Sequence, residues 1–167
     1  MKNKKAILDN LYYNIGNQEY DFFVCGTFIN KEGEKCFTKW KSYSEAIFPI
    51  DFNGYCDDWK TQKFFEQINQ RQILPNELVL DIEERENIKN IILRLKAKKL
   101  NNFEVWDTGS RGYHIHIFSK KQISTKTKEK LIKYFGTDIL KSGEKNMIAL
   151  EDCPHWKTGN IKRKVII

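Results

Sequence analysis

From residue 77 onward the spacing of apolar positions switches between two periods in a definite order, and that order predicts the second half of the chain. LVLDIEE alternates as a strand, and Ile88, Ile91, Ile92 and Leu95 then recur at helical spacing. NFEVWD and YHIHIF read as two further strands, Leu131, Ile132 and Phe135 mark a second helix ended near Gly136, and MIALE closes the series as a strand. The result is βαββαβ, the split βαβ or ferredoxin-like order, with the first strand expected centrally, the third on one side and the fourth on the other. The tail KTGNIKRKVII can add an edge strand. Upstream, Ile7, Leu8, Leu11, Tyr12 and Ile15 predict a helix over residues 5–15, and strands over 20–29 and 36–43 form a hairpin around NKEGEK. A second amphipathic helix over 57–70 is expected to bury Trp59, Phe64, Phe65 and Ile68, with Pro75 and Asn76 ending that unit.

No repeat, low-complexity stretch or flexible linker interrupts the 167 residues. The expectation is one α+β domain over 1–167, in which an N-terminal α/β module (1–76) packs on an RRM-like, ferredoxin-like module (77–167). No apolar run approaches a membrane span, and MKNKK leads into ILDNLYYNI rather than a signal-type core, so a soluble cytoplasmic protein with no membrane partner is expected. Cys25, Cys36, Cys56 and Cys153 form no C-x-x-C pair and read as free thiols, zinc is not expected, and the C-x-H of Cys153 and His155 reads as coincidence. Net charge is +7, with cations crowded into 94–99, 120–133 and 157–164, a balance that suits a polyphosphate partner once a site accompanies it.

The site is sought on the strands. Side chains alternate across a strand, so Leu78, Leu80 and Ile82 face the helices while Val79, Asp81 and Glu83 emerge on the other side. Two carboxylates side by side are costly unless cations bind between them. The same logic sends Ile115 and Ile117 to the helices, His114, His116 and Phe118 to the open face, and Glu151 outward from MIALE. Acids and imidazoles from separate strands then meet on one surface, and hard oxygen ligands suit Mg²⁺ or Mn²⁺. Two such ions can activate a 3′-oxygen and stabilise in-line phosphoryl transfer. An alternating acid pair alone is more often a solvated face; its companions give this one weight.

These segments resemble the archaeo-eukaryotic primase superfamily. LVLDIE is similar to its hDhD/E motif, TGSRGYHIHIF to its Gly-x-His-type motif on a later strand, ALE or ALED to its third acid, and CPHWKTGNIKRKVI to the H-x-K-T-G segment that follows. The resemblance implies that Asp81, Glu83 and Glu151 or Asp152 are catalytic and bind two Mg²⁺ or Mn²⁺ ions. It implies that Ser110, Arg111 and His114 contact the phosphates of an incoming nucleoside triphosphate, with His155 and Lys157 near its triphosphate. It further implies a site between the two modules, a single-stranded DNA template, and a primase large subunit or helicase as a further partner. Alternation favours Glu151 as the third acid, whereas the family's commoner aspartate favours Asp152. The spacer before HWKTG is shorter than in primase small subunits, and neither their zinc knuckle nor their helical accessory regions are recognisable.

Two other readings compete. HIH on a strand is what a histidine-hydrophobic-histidine replication-initiator endonuclease needs, with Tyr134 as the available nucleophile, but it leaves LDIE and HWKTG unexplained. A non-catalytic nucleotide- or single-strand-binding module would stack bases on central-strand aromatics, where this chain has acids. The aromatics Tyr12, Phe22, Phe23, Trp40, Trp59 and Trp106 are expected mostly in the core, with one or two near the cleft to stack on template bases.

Overall fold

The computed structural model describes residues 4–47, 66–143 and 145–167. Most of the helix expected over 57–70, with Trp59, Phe64 and Phe65, lies outside the described residues, as does Cys56. Helix α1 (Lys4–Asn10) continues into a π-helical turn, Leu11–Ile15, closed by Gly16 N–H donating to Leu11 O at 2.6 Å. The described strands are β1 (Phe23–Cys25), β2 (Thr27–Ile29), β3 (Lys35–Phe37), β4 (Lys41–Ser42), β5 (Gln70–Gln72), β6 (Glu77–Ile82), β7 (Phe103–Asp107), β8 (Tyr113–Phe118), β9 (Met147–Ala149) and β10 (Arg163–Val165). Helix α2 (Tyr43–Ile47) follows β4, α3 (Ile88–Ala97) joins β6 to β7, and α4 (Thr125–Phe135) follows β8. The strands form two four-stranded antiparallel sheets, β4-β1-β5-β9 and β10-β7-β8-β6, and the small pair β2-β3.

The alternation predicted for the strand LVLDIE holds. Leu78, Leu80 and Ile82 pack with Ile88, Ile91 and Leu95 of α3 and with Ile132 and Phe135 of α4. Each such side chain contributes about 1.5–3 kcal/mol on burial. Helix α4 starts where the Ser124 side chain accepts from Thr127 N–H and stops where Gly136 takes φ 71°. A second core gathers Leu8, Leu11, Tyr12, Phe22, Tyr43 and Leu150.

Two strand expectations are corrected. The fourth strand of the βαββαβ series does not flank the first: β9 pairs with β5 in the other sheet, Arg71 opposite Ile148, and β6 is an edge strand beside β8. The reason is local: Ile148 closes a small apolar cluster with Ile73 and Val79. The far edge is taken by the basic tail, as β10 against β7. The long hairpin over 20–29 and 36–43 is broken at Gly26, where an added Cβ would lie 2.5 Å from Gln67 O, and its halves enter different sheets.

Candidate functional site

Asp81 and His114 are register partners on β6 and β8, so their side chains rise on the same face. Asp81 Oδ1 lies 3.6 Å from His114 Nε2, and Oδ2 lies 3.7 Å from Lys141 Nζ, delivered by the 3₁₀ turn Ile139–Ser142. Burial works to raise the Asp81 carboxyl, but His114 and Lys141 outweigh it and hold it below the usual aspartate range. His114 is buried, and burial first, then Lys162, pushes its pKa down to about 4 against the pull of Asp81. Its Nδ1 has no hydrogen-bond partner among the described residues. Such an orphan costs about 1–3 kcal/mol, a deficit characteristic of working sites.

The wall beside this pair is the β7–β8 turn, residues 108–112. Thr108 Oγ1 donates to Arg111 O at 2.9 Å, and Thr158 Oγ1 donates to Gly109 O at 2.7 Å, which clamps the turn against the loop 155–160. Gly112 has φ 75° and lies so close to β6 that an added Cβ would be 1.8 Å from Ile82 O. Only glycine fits, and the turn thereby carries exposed Ser110 and Arg111 to the mouth of the cleft. We expect Gly112→Ala to lose at least about 2 kcal/mol in urea unfolding, whereas Gly136→Ala, equally left-handed but in open space, loses only about 1. Equal losses would refute the close approach.

The resulting cleft, about 280 Å³, is lined by Asp81, Glu83 and His114 together with Ser110, Arg111 and His155. Lys35, Lys141 and Trp156 line it as well. His155 is tied to its own loop, its backbone N–H donating to Asn160 O at 2.7 Å. Lys157 is not part of the lining; it is exposed and its backbone N–H donates to His155 Nδ1. Glu151 and Asp152 also lie outside the lining, beside a separate cavity of about 340 Å³ that includes Arg71, Trp106 and Phe118. Among the described residues no three His, Cys, Asp or Glu converge as a metal cage. The donor set at the cleft, two carboxylates near the end of β6, fits a hard divalent ion that completes its shell with water and phosphate oxygens.

Glu151 turns inward rather than outward because a guanidinium waits for it. Arg71 of β5, fully buried, donates from Nε and Nη2 to Glu151 at 2.9 and 2.7 Å, and from Nη1 and Nη2 to Glu77 at 2.8 and 2.9 Å. His116 Nδ1 is 2.7 Å from Glu77 Oε1, and Lys162 Nζ is 3.2 Å from His116 Nε2 and donates to Ala149 O at 2.8 Å. The cluster joins segments of both sheets directly behind the cleft. Burial opposes the charge on Glu77 and Glu151, yet Arg71 holds both far below the carboxylate range. Burial, then Lys162, lowers His116, which favours its neutral form. Because His116 and the two glutamates all bind protons more weakly in the fold, stability is full above about pH 6.5 and falls as pH drops below it, steepening below about pH 4.3. Urea midpoints measured from pH 8 to pH 3 test this; a midpoint rising toward acid would contradict it.

Sequence reasoning missed Arg71, Glu77, Lys162, Lys35 and Lys141. A lone arginine in QRQIL on a strand was the available signal for the first; the lysines carry none in so lysine-rich a chain. Tyr12, Phe22 and Trp106 are buried as expected, Phe23 and Trp40 are substantially exposed, and Cys25 and Cys153 are buried free thiols while Cys36 is half-buried.

No protein-family model and no curated protein sequence matches this chain. Solved structures do. Primase RepB′ superposes with a TM-score of 0.59 at 11% identity, over 99% of this chain and 56% of that one. The chain has an archaeo-eukaryotic primase fold. The archaeo-eukaryotic primase domain of the cyanophage S-2L primase-polymerase matches with a TM-score of 0.56 at 13% identity, over 87% of this chain and 80% of that domain. The catalytic domain of RepB′ in complex with initiator DNA matches at 0.50 and 12% identity, over 90% and 77%. This chain therefore spans little more than half of the RepB′ chain with which it shares the highest of these scores. Among the described residues no helix is long and apolar enough to cross a membrane.

Proposed function

We propose that this chain is a primase-polymerase-type nucleotidyltransferase that joins nucleoside triphosphates to a growing strand on a single-stranded DNA template. The observation that carries the reading is the sorting of charge within one cleft, with Asp81 and Glu83 near the end of β6 and Arg111, Lys35 and Lys141 around them. Bare carboxylates repel a triphosphate, so acids and phosphate-binding cations in one pocket make chemical sense when a divalent ion sits between acid and phosphate. Asp81 and Glu83 would hold Mg²⁺ or Mn²⁺, which supplies neutralisation of the charge that develops in phosphoryl transfer. Arg111 and Ser110 would supply phosphate donors on a turn clamped to the loop 155–160, and His114 stays neutral beside Asp81. Glu151 acts in this reading as a positioning residue that locks Arg71 behind the cleft.

The endonuclease alternative loses its metal pair, because both ring nitrogens of His116 are engaged by Glu77 and Lys162. Its candidate nucleophile, Tyr134, lies under Arg94 and Lys98, with cation-to-ring distances of 4.7 and 5.0 Å. The test is incubation of the chain with a single-stranded template, with and without a primer, labelled ribo- or deoxynucleoside triphosphates and Mg²⁺ or Mn²⁺. Template-dependent incorporation that stops on chelation is expected. Absence of incorporation under every combination, or incorporation indifferent to chelator, would overturn the reading.

A further inference from the structure

The β2–β3 hairpin exposes side chains that belong to no core cluster among the described residues. Two-stranded hairpins are marginal on their own, yet Phe28 and Ile29 are 47% exposed and Phe37 is 46% exposed. Register pairs Thr27 with Phe37 and Ile29 with Lys35, so these four share one face while Phe28 and Cys36 take the other. On the first face, Lys35 Nζ lies 5.0 Å from the Phe37 ring centroid and 4.7 Å from that of Trp156. Lys35 and Trp156 also line the cleft that contains Asp81 and His114. One ammonium thus links an exposed ring on the hairpin to a ring in the cleft wall. The flanking chain adds Lys31, Lys39 and Lys41 against Glu32 and Glu34.

We propose that Phe37, Lys35 and Trp156 form a platform for single-stranded DNA that leads a strand into the cleft; the choice of strand rests on the nucleotidyltransferase reading. Unpaired bases offer flat faces to the two rings, and phosphates offer a counter-charge to Lys35. A duplex hides its base faces in its own stack. A protein partner would use the apolar area of Phe37 but would gain nothing particular from an ammonium held between two rings beside a phosphate-binding cleft.

The experiment is anisotropy of a labelled oligothymidylate titrated with the full chain, without metal or triphosphate, over a range of salt. Phe37→Ala is expected to weaken binding about tenfold. Phe37→Leu, which keeps apolar area but loses the ring, is expected to weaken it similarly, and Phe37→Tyr to restore it. Lys35→Gln should flatten the dependence of log affinity on log salt by about 0.7. Thermal melts of all variants should match the wild type, since the altered side chains are exposed. Wild-type binding by Phe37→Leu and Phe37→Ala, or no strand binding by the wild-type chain, overturns the platform. Because no chemistry enters this assay, the two readings can fail separately. Incorporation by wild type with unchanged strand binding in Phe37→Ala sinks only the platform; strand binding that depends on Phe37 without incorporation sinks only the enzyme.

Discussion

Asp81→Asn is expected to reduce template-dependent incorporation at least about 10³-fold, close to 4 kcal/mol of transition-state stabilisation, with little change in fold. The amide matches the carboxylate in shape, so the residue can still pack opposite His114 in the β6–β8 register. What disappears is the charge. His114 and Lys141 hold that charge on Asp81 against burial, so at neutral pH the wild-type side chain is an anion facing a pocket built from phosphate-binding groups. An anion in that setting helps only by holding a cation. Single-turnover incorporation under saturating template, alongside circular dichroism and thermal melts, measures the effect. Wild-type incorporation by a folded Asp81→Asn would reduce Asp81 to a structural partner of His114 and Lys141. Glu83→Gln should lose less, because Glu83 is exposed just beyond β6 and water can replace part of its role.

Arg71→Met is expected to cost about 3–5 kcal/mol of stability, the range for breaking a buried ion cluster by removing one partner. The methionine fills much of the arginine volume, so the loss comes from electrostatics rather than a cavity. It leaves Glu77 and Glu151 buried, with side-chain exposures of 0% and 7%, facing Lys162 and His116 as the remaining basic side chains among the described residues. Against a typical domain stability of about 5–15 kcal/mol such a loss is severe. Replacing the charged members together, Arg71→Met with Glu77→Gln and Glu151→Gln, should recover a substantial part, because the penalty belongs to the unpaired charges. Urea midpoints of the single and combined variants decide this. A single variant as stable as the wild type, or a combined variant less stable than the single one, would show that Arg71 does not neutralise the two glutamates.

The strands and helices of residues 77–135 were legible because their apolar spacing is regular and long, and period alone sorts Leu78, Leu80 and Ile82 from Asp81. The pairing of Asp81 with His114 was half legible: alternation put both on one face, but only the antiparallel register set them opposite each other. Alternation failed at Glu151. The strand before it has three residues, Met147–Ala149, and ends two residues short of Glu151; a strand that short carries too little pattern to say which sheet it joins.

Local sequence, then, determined which residues share a face, where α4 stops at Gly136, and that acids, imidazoles and a glycine-bounded turn would crowd one region. Tertiary structure alone decided what covers that face: the β5–β9 pairing, the Arg71 cluster behind the cleft, and the arrival of Lys35 and Lys141 at its rim. The physical reason is that periodicity records burial, a property of one element, whereas the partner of a buried charge is set by segments up to 80 residues away in the chain.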